Sequence, residues 1–522
     1  MNVNAEKQQE EGVATPQSPE APTPTSSNES SKPIRPPLNE SRTVSRTGAQ
    51  LIHWGDDDPE HPFNWSLGRK WFALGVALLF NSSTAMNATG YTTAQQVGAA
   101  EFNTSETVWL TGTTAYLVPV ALTPLVLAPL SEIHGRRPLY LIALFLYTMM
   151  FIPQALAPNI GAILGSRIVQ GCAGSVGNTM CAGSVADLFP KSQRAIPMGF
   201  FVLIVFMSQG IGSTASGWTV QTVGWRWIFW WQGAVALGSL AIMLAFMEET
   251  REGVLLSKRA QRISKEQGIK HATEDEEERK SFILMASRNL GRPILFFFTE
   301  PIVAFLALWI GFLWGVVFLS LEGVSDTFMV YGWDAALINT VLLAIAVGGL
   351  IGFLTNLHQA KLYDRAAERA DGKAPAEARL YWSMPGAVFT VGGLFWYGWG
   401  GQADVHPAVP ILGLVLFSWG TYIIYLATLN YISDSYETYA SSGIACQALL
   451  RNIFGGTFGL FAHGMYRNLS PPIASTVLAC ISAFLGIAPF VLFFFGPHLR
   501  ARSRIHKRLM REEDERREKF HG

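Results

Sequence analysis

The sequence predicts an all-α membrane protein, a bundle of about a dozen helical spans, and three observations carry that prediction. Of 522 residues, 49% are hydrophobic and only 15% charged, with 33 Phe and 16 Trp, whereas a soluble chain of this length would show far more charge. The apolar residues gather into runs of about 20, the length at which a helix crosses a hydrocarbon core of roughly 30 Å. Lys and Arg collect in every second connection, as expected where basic residues near span ends resist translocation.

In order, the runs fall at residues 71–91, 108–130, 139–156, 160–185, 195–218, 227–246, 293–321, 336–357, 380–399, 407–432, 441–464 and 473–495. The longest polar insert divides them six and six. This gives a disordered tail at 1–69, a six-helix bundle at 70–247, a central loop at 248–292, a second six-helix bundle at 293–496 and a tail at 497–522. The tail is rich in Ser, Pro, Thr and Glu and shows no cleavable signal peptide. Basic residues mark the tail before span 1 (Arg69, Lys70), the loops after spans 2, 4 and 8, the central insert and the segment from Arg500 onward. The alternate loops, 92–107, 157–159, 322–335 and 400–406, contain no Lys or Arg. Both termini and the insert are therefore expected in the cytosol, with the plasma membrane as the expected location and the vacuolar membrane behind it. The sequons at Asn103 and Asn468 fall on the opposite side as candidate glycosylation sites.

Formal net charge is zero, so no basic field points to nucleic acid. The four cysteines, Cys172, Cys181, Cys446 and Cys480, lie inside apolar runs without CxxC pairing and read as small residues at helix contacts. Walker, HExxH and GxSxG patterns are absent, so neither a nucleotide-driven pump nor a hydrolase is indicated, and no metal or other cofactor is expected. Gly348-Gly349-x-x-Gly352 reads as a helix-contact pattern in span 8.

The most informative motif is Ala128-Pro-Leu-Ser-Glu132-Ile-His-Gly135-Arg136-Arg137-Pro138 between spans 2 and 3. An acid ends the span, glycine supplies a conformation other residues resist, and proline restarts the helix. Such a cluster can bond to neighbouring helix ends in one conformation and release them in another, or only mark the inner face. The segment resembles the loop 2–3 signature of the major facilitator superfamily, in the form seen in fungal twelve-span drug:proton antiporter-like proteins. Further likeness lies in Asp58-Pro-Glu-His-Pro62-x-Asn64-Trp65, Arg167-Ile-Val-Gln170-Gly171, Gly224-Trp-Arg-Trp227, Glu300-Pro301 and Asn430-Tyr-x-x-Asp434-x-Tyr436, and covers about residues 57 to 495. It implies the major facilitator fold, two six-helix bundles around a central cavity that opens to one side at a time. It also implies gating by Glu132, Gly135, Arg136 and Arg137, and coupling through Arg167. In span 5 the antiport motif of the family is replaced by Gly212-Ser-Thr-Ala-Ser-Gly217, which keeps small residues but lacks the proline kink.

Polar residues inside apolar runs should face protein or water. That rule selects Arg167, Gln170, Arg451, Asn81, Asn87, Tyr116, Gln209, Asn339 and Asn430 as candidates for substrate or coupling. Arg167 reads equally as a structural clamp, and either Arg167 or Arg451 suits an anionic substrate. Mid-span carboxylates are missing, so the proton-coupling candidates reduce to end-of-span groups such as Glu322, or to His463. The leading function is proton-linked efflux of a small organic compound, a secondary metabolite, organic acid or drug-like toxin, by a monomer embedded in the bilayer. An importer or polyamine transporter on the same fold, or a receptor that binds without transporting, are the alternatives. Polyamines would need acids in the cavity, which are scarce.

Overall fold

The computed structural model describes residues 49–55, 57–273, 282–370 and 374–503. The acidic run at 274–278, Lys373, the tail from 504 onward and the side chain of His463 lie outside the described residues.

Helix α1 (Leu67–Gly90) is span 1, and α2 (Glu106–Leu122) with α3 (Pro124–His134) forms span 2, bent by 45° where Pro124 restarts the helix. Next come α4 (Arg136–Met149), α5 (Ile160–Leu188), α6 (Ala195–Thr222) and α7 (Arg226–Phe246). Side-chain caps start two of these: Ser105 accepts from the Val108 N–H at 3.3 Å, and Asn159 from that of Ala162 at 3.0 Å. After α8 (Glu252–Gln267) and α9 (Phe282–Thr299), the second set comprises α10 (Pro301–Phe328), α11 (Leu343–Arg369), α12 (Ser383–Gly400), α13 (Ala408–Tyr436), α14 (Ala440–Leu485) and α15 (Ala488–Arg502). Ser470, with φ 61° ahead of Pro471 and Pro472, breaks α14 into two arms that correspond to spans 11 and 12.

Among the described residues, seven helices are long and apolar enough to cross a bilayer by length and composition, or eight if the bent pair is one span. The helices outside that set include α1, α5 and the first arm of α14, which carry Asn81 and Asn87, Arg167 and Gln170, and Arg451 and Asn452. Their low hydropathy thus follows from lining the interior. Apolar side chains such as Phe145, Leu237, Phe484 and Phe494 are exposed on the outside, as lipid solvation requires.

Three boundaries differ from expectation. The segment from Ala49 to the start of α1, expected as part of the tail, is described and bonded to the insert, and α15 continues the last span to Arg502, beyond the expected tail boundary at 497. Span 7 begins at Pro301, because the helix is broken at Glu300; Pro293 lies inside α9, which packs against α3 and α14 and straddles the expected loop boundary. The all-α reading also misses a parallel pair of two-residue strands, β1 (Gln50–Leu51) and β2 (His271–Ala272).

That strand pair explains the Asp58-Pro-Glu-His-Pro motif. Asp58 ion-pairs with Arg259 of α8, Glu60 lies 3.6 Å from Arg262, and Ile52 packs on Ala260 and Ile263. His61 Nδ1 accepts the Phe63 N–H at 3.0 Å while Nε2 meets Glu252 at 3.3 Å. This hydrogen bond holds the Glu252 carboxyl below the usual carboxylate range. The segment before α1 is thereby fastened to the insert between the halves.

The two halves meet along two seams. On one, α6 runs beside α11 and bonds to its neighbours: Tyr422 of α13 donates to Gly199 O at 2.7 Å, and in the helical turn ahead of α11 Asn339 O accepts from Thr214 at 3.2 Å and Thr340 from Trp218 at 3.0 Å. Gly349 is required here, since a Cβ would lie 2.6 Å from Phe206 Cβ, and Gly348 and Gly352 meet Ser418 and Tyr422 as tightly within the second half. Gly212 and Gly217 likewise sit against Met86 and Asn339, so the residues replacing the antiport motif serve packing. On the other seam α2 lies along α14, with Thr114 donating to Gly456 O at 2.5 Å. Cys181 and Cys446 are buried as expected of helix contacts, but Cys480 is exposed.

Candidate functional site

Polar side chains stranded in apolar helices turn toward one another, and at the junction of the halves they line a small cavity. The first half contributes Asn81, Thr84, Tyr116, Asn178 and Gln209, and the second Trp314, Phe318, Arg451 and Asn452. Arg451 Nη2 donates to Asn178 Oδ1 across the junction at 2.9 Å, and Nη1 bonds to the Tyr425 hydroxyl. Its guanidinium stands 5.3 Å from the Trp314 ring centroid and 5.2 Å from that of Tyr425. Several buried polar atoms here have no protein partner: Arg451 Nε, Asn452 Nδ2, Gln209 Oε1 and both amide atoms of Asn81. A buried polar group left unmade costs about 1–3 kcal/mol, so these atoms mark where a ligand or water belongs.

Arg167, Gln170 and Asn87 form a separate network behind this wall, not part of the cavity lining itself. Arg167 is fully buried; Nε donates to Gly112 O at 2.7 Å, Nη1 to Asn87 Oδ1 at 3.3 Å, and the guanidinium lies 3.9 Å from the Tyr91 centroid and 5.0 Å from that of Tyr116. Gln170 Oε1 accepts from Asn87 at 2.8 Å and from Gln154 at 2.9 Å. Tyr116 belongs to both groups, so it connects this clamp to the cavity. Gln154 and Asn178 were missed from the sequence, although the rule that selected Asn81 applies to them equally.

Where α3 ends, Gly135 adopts φ 96°. Glu249, just past α7, accepts the backbone N–H of Arg136 at 2.8 Å and of Arg137 at 3.2 Å. The buried Arg136 side chain reaches Asp187 at 2.9 Å and Ser131 at 2.7 Å, and Arg251 approaches Asp187 at 3.4 Å. Arg137 is exposed and Glu132 half-buried, so the tight contacts of this motif run through Gly135, Arg136 and backbone amides. A Cβ on residue 135 would lie 2.2 Å from Glu249 Oε2 and would face a strained φ as well. Gly135→Ala is expected to lower stability by about 1–3 kcal/mol and to lower the thermal unfolding temperature of the purified protein accordingly.

Glu322 of α10 is buried, at 3% exposure, in the last third of its helix. Its polar surroundings are the Thr92 hydroxyl from the first half and the carboxyls of Glu106 and Asp326. Asn430 lies apart from the central cavity, in a second cleft with Asn356, Gln359 and Arg379. Close by, Asp434 pairs with Arg379 at 2.7 Å and accepts from Tyr363 at 3.1 Å. Asn103 is exposed in the turn before α2, and Asn468 is exposed on α14 two residues before its break. Among the described residues no group of three or more His, Cys, Asp or Glu is arranged to hold a metal ion.

Residues 71–460 match the family model described as Major Facilitator Superfamily. The chain is 32% identical over 469 residues to the MFS transporter cpaT of Aspergillus oryzae, covering 88% of this chain and 94% of that protein. It is 31% identical to the MFS-type efflux pump MFS2 of Trichophyton rubrum, covering 87% and 77%, and 30% identical to the multidrug transporter mdrA of Aspergillus fumigatus, covering 86% and 75%. Its fold is similar to that of the proton:xylose symporter XylE, with a TM-score of 0.56 at 16% identity over 82% of this chain and 95% of the other.

Proposed function

Because the chain belongs to the major facilitator superfamily, a family of membrane transporters and not of enzymes, we propose that it exports a small organic compound by proton-linked alternating access. The observation that carries the reading is the cavity at the junction of the halves, whose buried polar atoms lack partners within the protein. A site made from both halves changes shape whenever they rock against each other. Export as the direction is supported by relatives named as efflux pumps along most of this chain. Proton coupling is supported by Glu322, a buried carboxyl beside the first half, since carboxyls at such depth mark proton and ion pathways. Among the described residues the cavity lining contains no carboxylate, which disfavours a polyamine or other cation as substrate.

In this reading Gly135, Arg136 and the Glu249 carboxylate hold one closed arrangement of the first half and release it as the halves rock. The protein works as a monomer in the plasma membrane, with the basic connections and both termini in the cytosol, and Asn103 faces outward where it can carry a glycan. The test is flux in inside-out membrane vesicles. With an acidic lumen, vesicles containing the protein accumulate substrate as protons leave, and deleting the gene raises intracellular retention of that substrate. Absence of accumulation under every imposed pH gradient, with retention unchanged in the deletion strain, would overturn the reading.

A further inference from the structure

We propose that the exported compound is an organic monocarboxylate with a flat, unsaturated body, bound through Arg451. The proposal deepens the transport reading by naming the substrate class of the same cavity. Arg451 is 4% exposed and carries a permanent charge, yet among the described residues none that lines the cavity is acidic. Its contacts are neutral: the Asn178 amide, the Tyr425 hydroxyl and two aromatic faces. A buried cation without a counter-ion is costly unless something else supplies the negative charge, and here the open position is the cavity itself.

The guanidinium has five N–H donors. Two are used, one on each Nη, and Nε has no partner. Nε–H and the remaining donor of an adjacent Nη form the planar fork that a carboxylate takes with two parallel bonds. Beside it, Trp314, Phe318 and Tyr116 supply flat apolar walls for an unsaturated body. The unpartnered amides of Asn81 and Asn452 fit a hydroxyl or carbonyl on the same compound. Among the described residues no second cation lines the cavity, and Arg167 is held in its own network, which suits a single negative charge.

The test titrates the purified full-length protein with indole-3-acetate and 4-hydroxycinnamate, and with their primary amides, following thermal unfolding. The carboxylates are expected to raise the unfolding temperature and to bind about tenfold or more tightly than the amides, the difference that a charge-assisted pair supplies. Arg451→Gln is expected to erase that preference while unfolding at nearly the wild-type temperature, and Arg451→Lys to keep part of it. Equal responses to acids and amides in the wild-type protein, no response to any carboxylate, or a preference retained in Arg451→Gln would overturn the proposal. The wild-type comparison decides even where a variant fails to fold. Carboxylate binding without flux under a pH gradient would sink the export reading alone, whereas flux confined to uncharged compounds would sink this one alone.

Discussion

Glu322→Gln is expected to abolish accumulation driven by a pH gradient while leaving substrate exchange across the membrane intact. The substitution keeps size and hydrogen-bonding capacity and removes only the ability to take up and release a proton. Glu322 is suited to that task by position: it is buried on α10, beside Gly459 of α14 and the Thr92 hydroxyl of the first half. A carboxyl at the contact between halves changes its surroundings when they rock, as a coupling group must. Among the described residues the groups acting on it are a hydroxyl and two carboxyls, and none of these is cationic. With Glu322→Gln, the accumulation ratio is expected to fall to about one, while counterflow of labelled substrate against unlabelled substrate proceeds. Accumulation at the wild-type level would remove Glu322 from the coupling mechanism.

The helices were legible because lipid leaves so few options. A run of about 20 apolar residues must form a helix, and proline, glycine and charge mark its ends. The same argument read the interior: a lone amide or guanidinium in an apolar run has to face protein, and Asn81, Tyr116, Gln209 and Arg451 do line the cavity. It did not separate one interior from another. Asn87, Gln170 and Arg167 are joined by hydrogen bonds behind the wall, and Asn430 faces a different cleft, because depth within a run carries no rotation angle precise enough to assign a face. Long-range partners were hidden as well. Nothing in the spacing around Arg136 points to Glu249, 113 residues away, or ties Asp58 to Arg259 across 201. The start of span 7 was misread for a local reason: α9 is itself apolar enough to merge with the next run, and the break at Glu300 is a backbone event ahead of Pro301.

Removing the Arg167 guanidinium should separate the role of a clamp from that of a coupling group. In Arg167→Ala the bonds to Gly112 O and Asn87 are lost, and so is the charge between Tyr91 and Tyr116. Transport is expected to fall by about tenfold or more, since charge-assisted bonds are stronger than neutral ones and here also hold Tyr116, a cavity residue. The cost to folding should be limited for a specific reason. Breaking a buried ion pair leaves an orphaned charge, but among the described residues Arg167 has no carboxylate partner, so its removal strands a carbonyl and an amide. Membrane abundance is therefore expected to stay near that of the unaltered protein. Arg167→Lys should recover little transport, because an ammonium cannot reproduce the planar fork that spans Gly112 and Asn87 between two rings. If Ala, Gln and Lys variants all disappear from the membrane, the residue is a structural clamp. If Arg167→Ala transports normally at normal abundance, the network behind the cavity wall plays no part in the cycle, and the search for coupling returns to Glu322 alone.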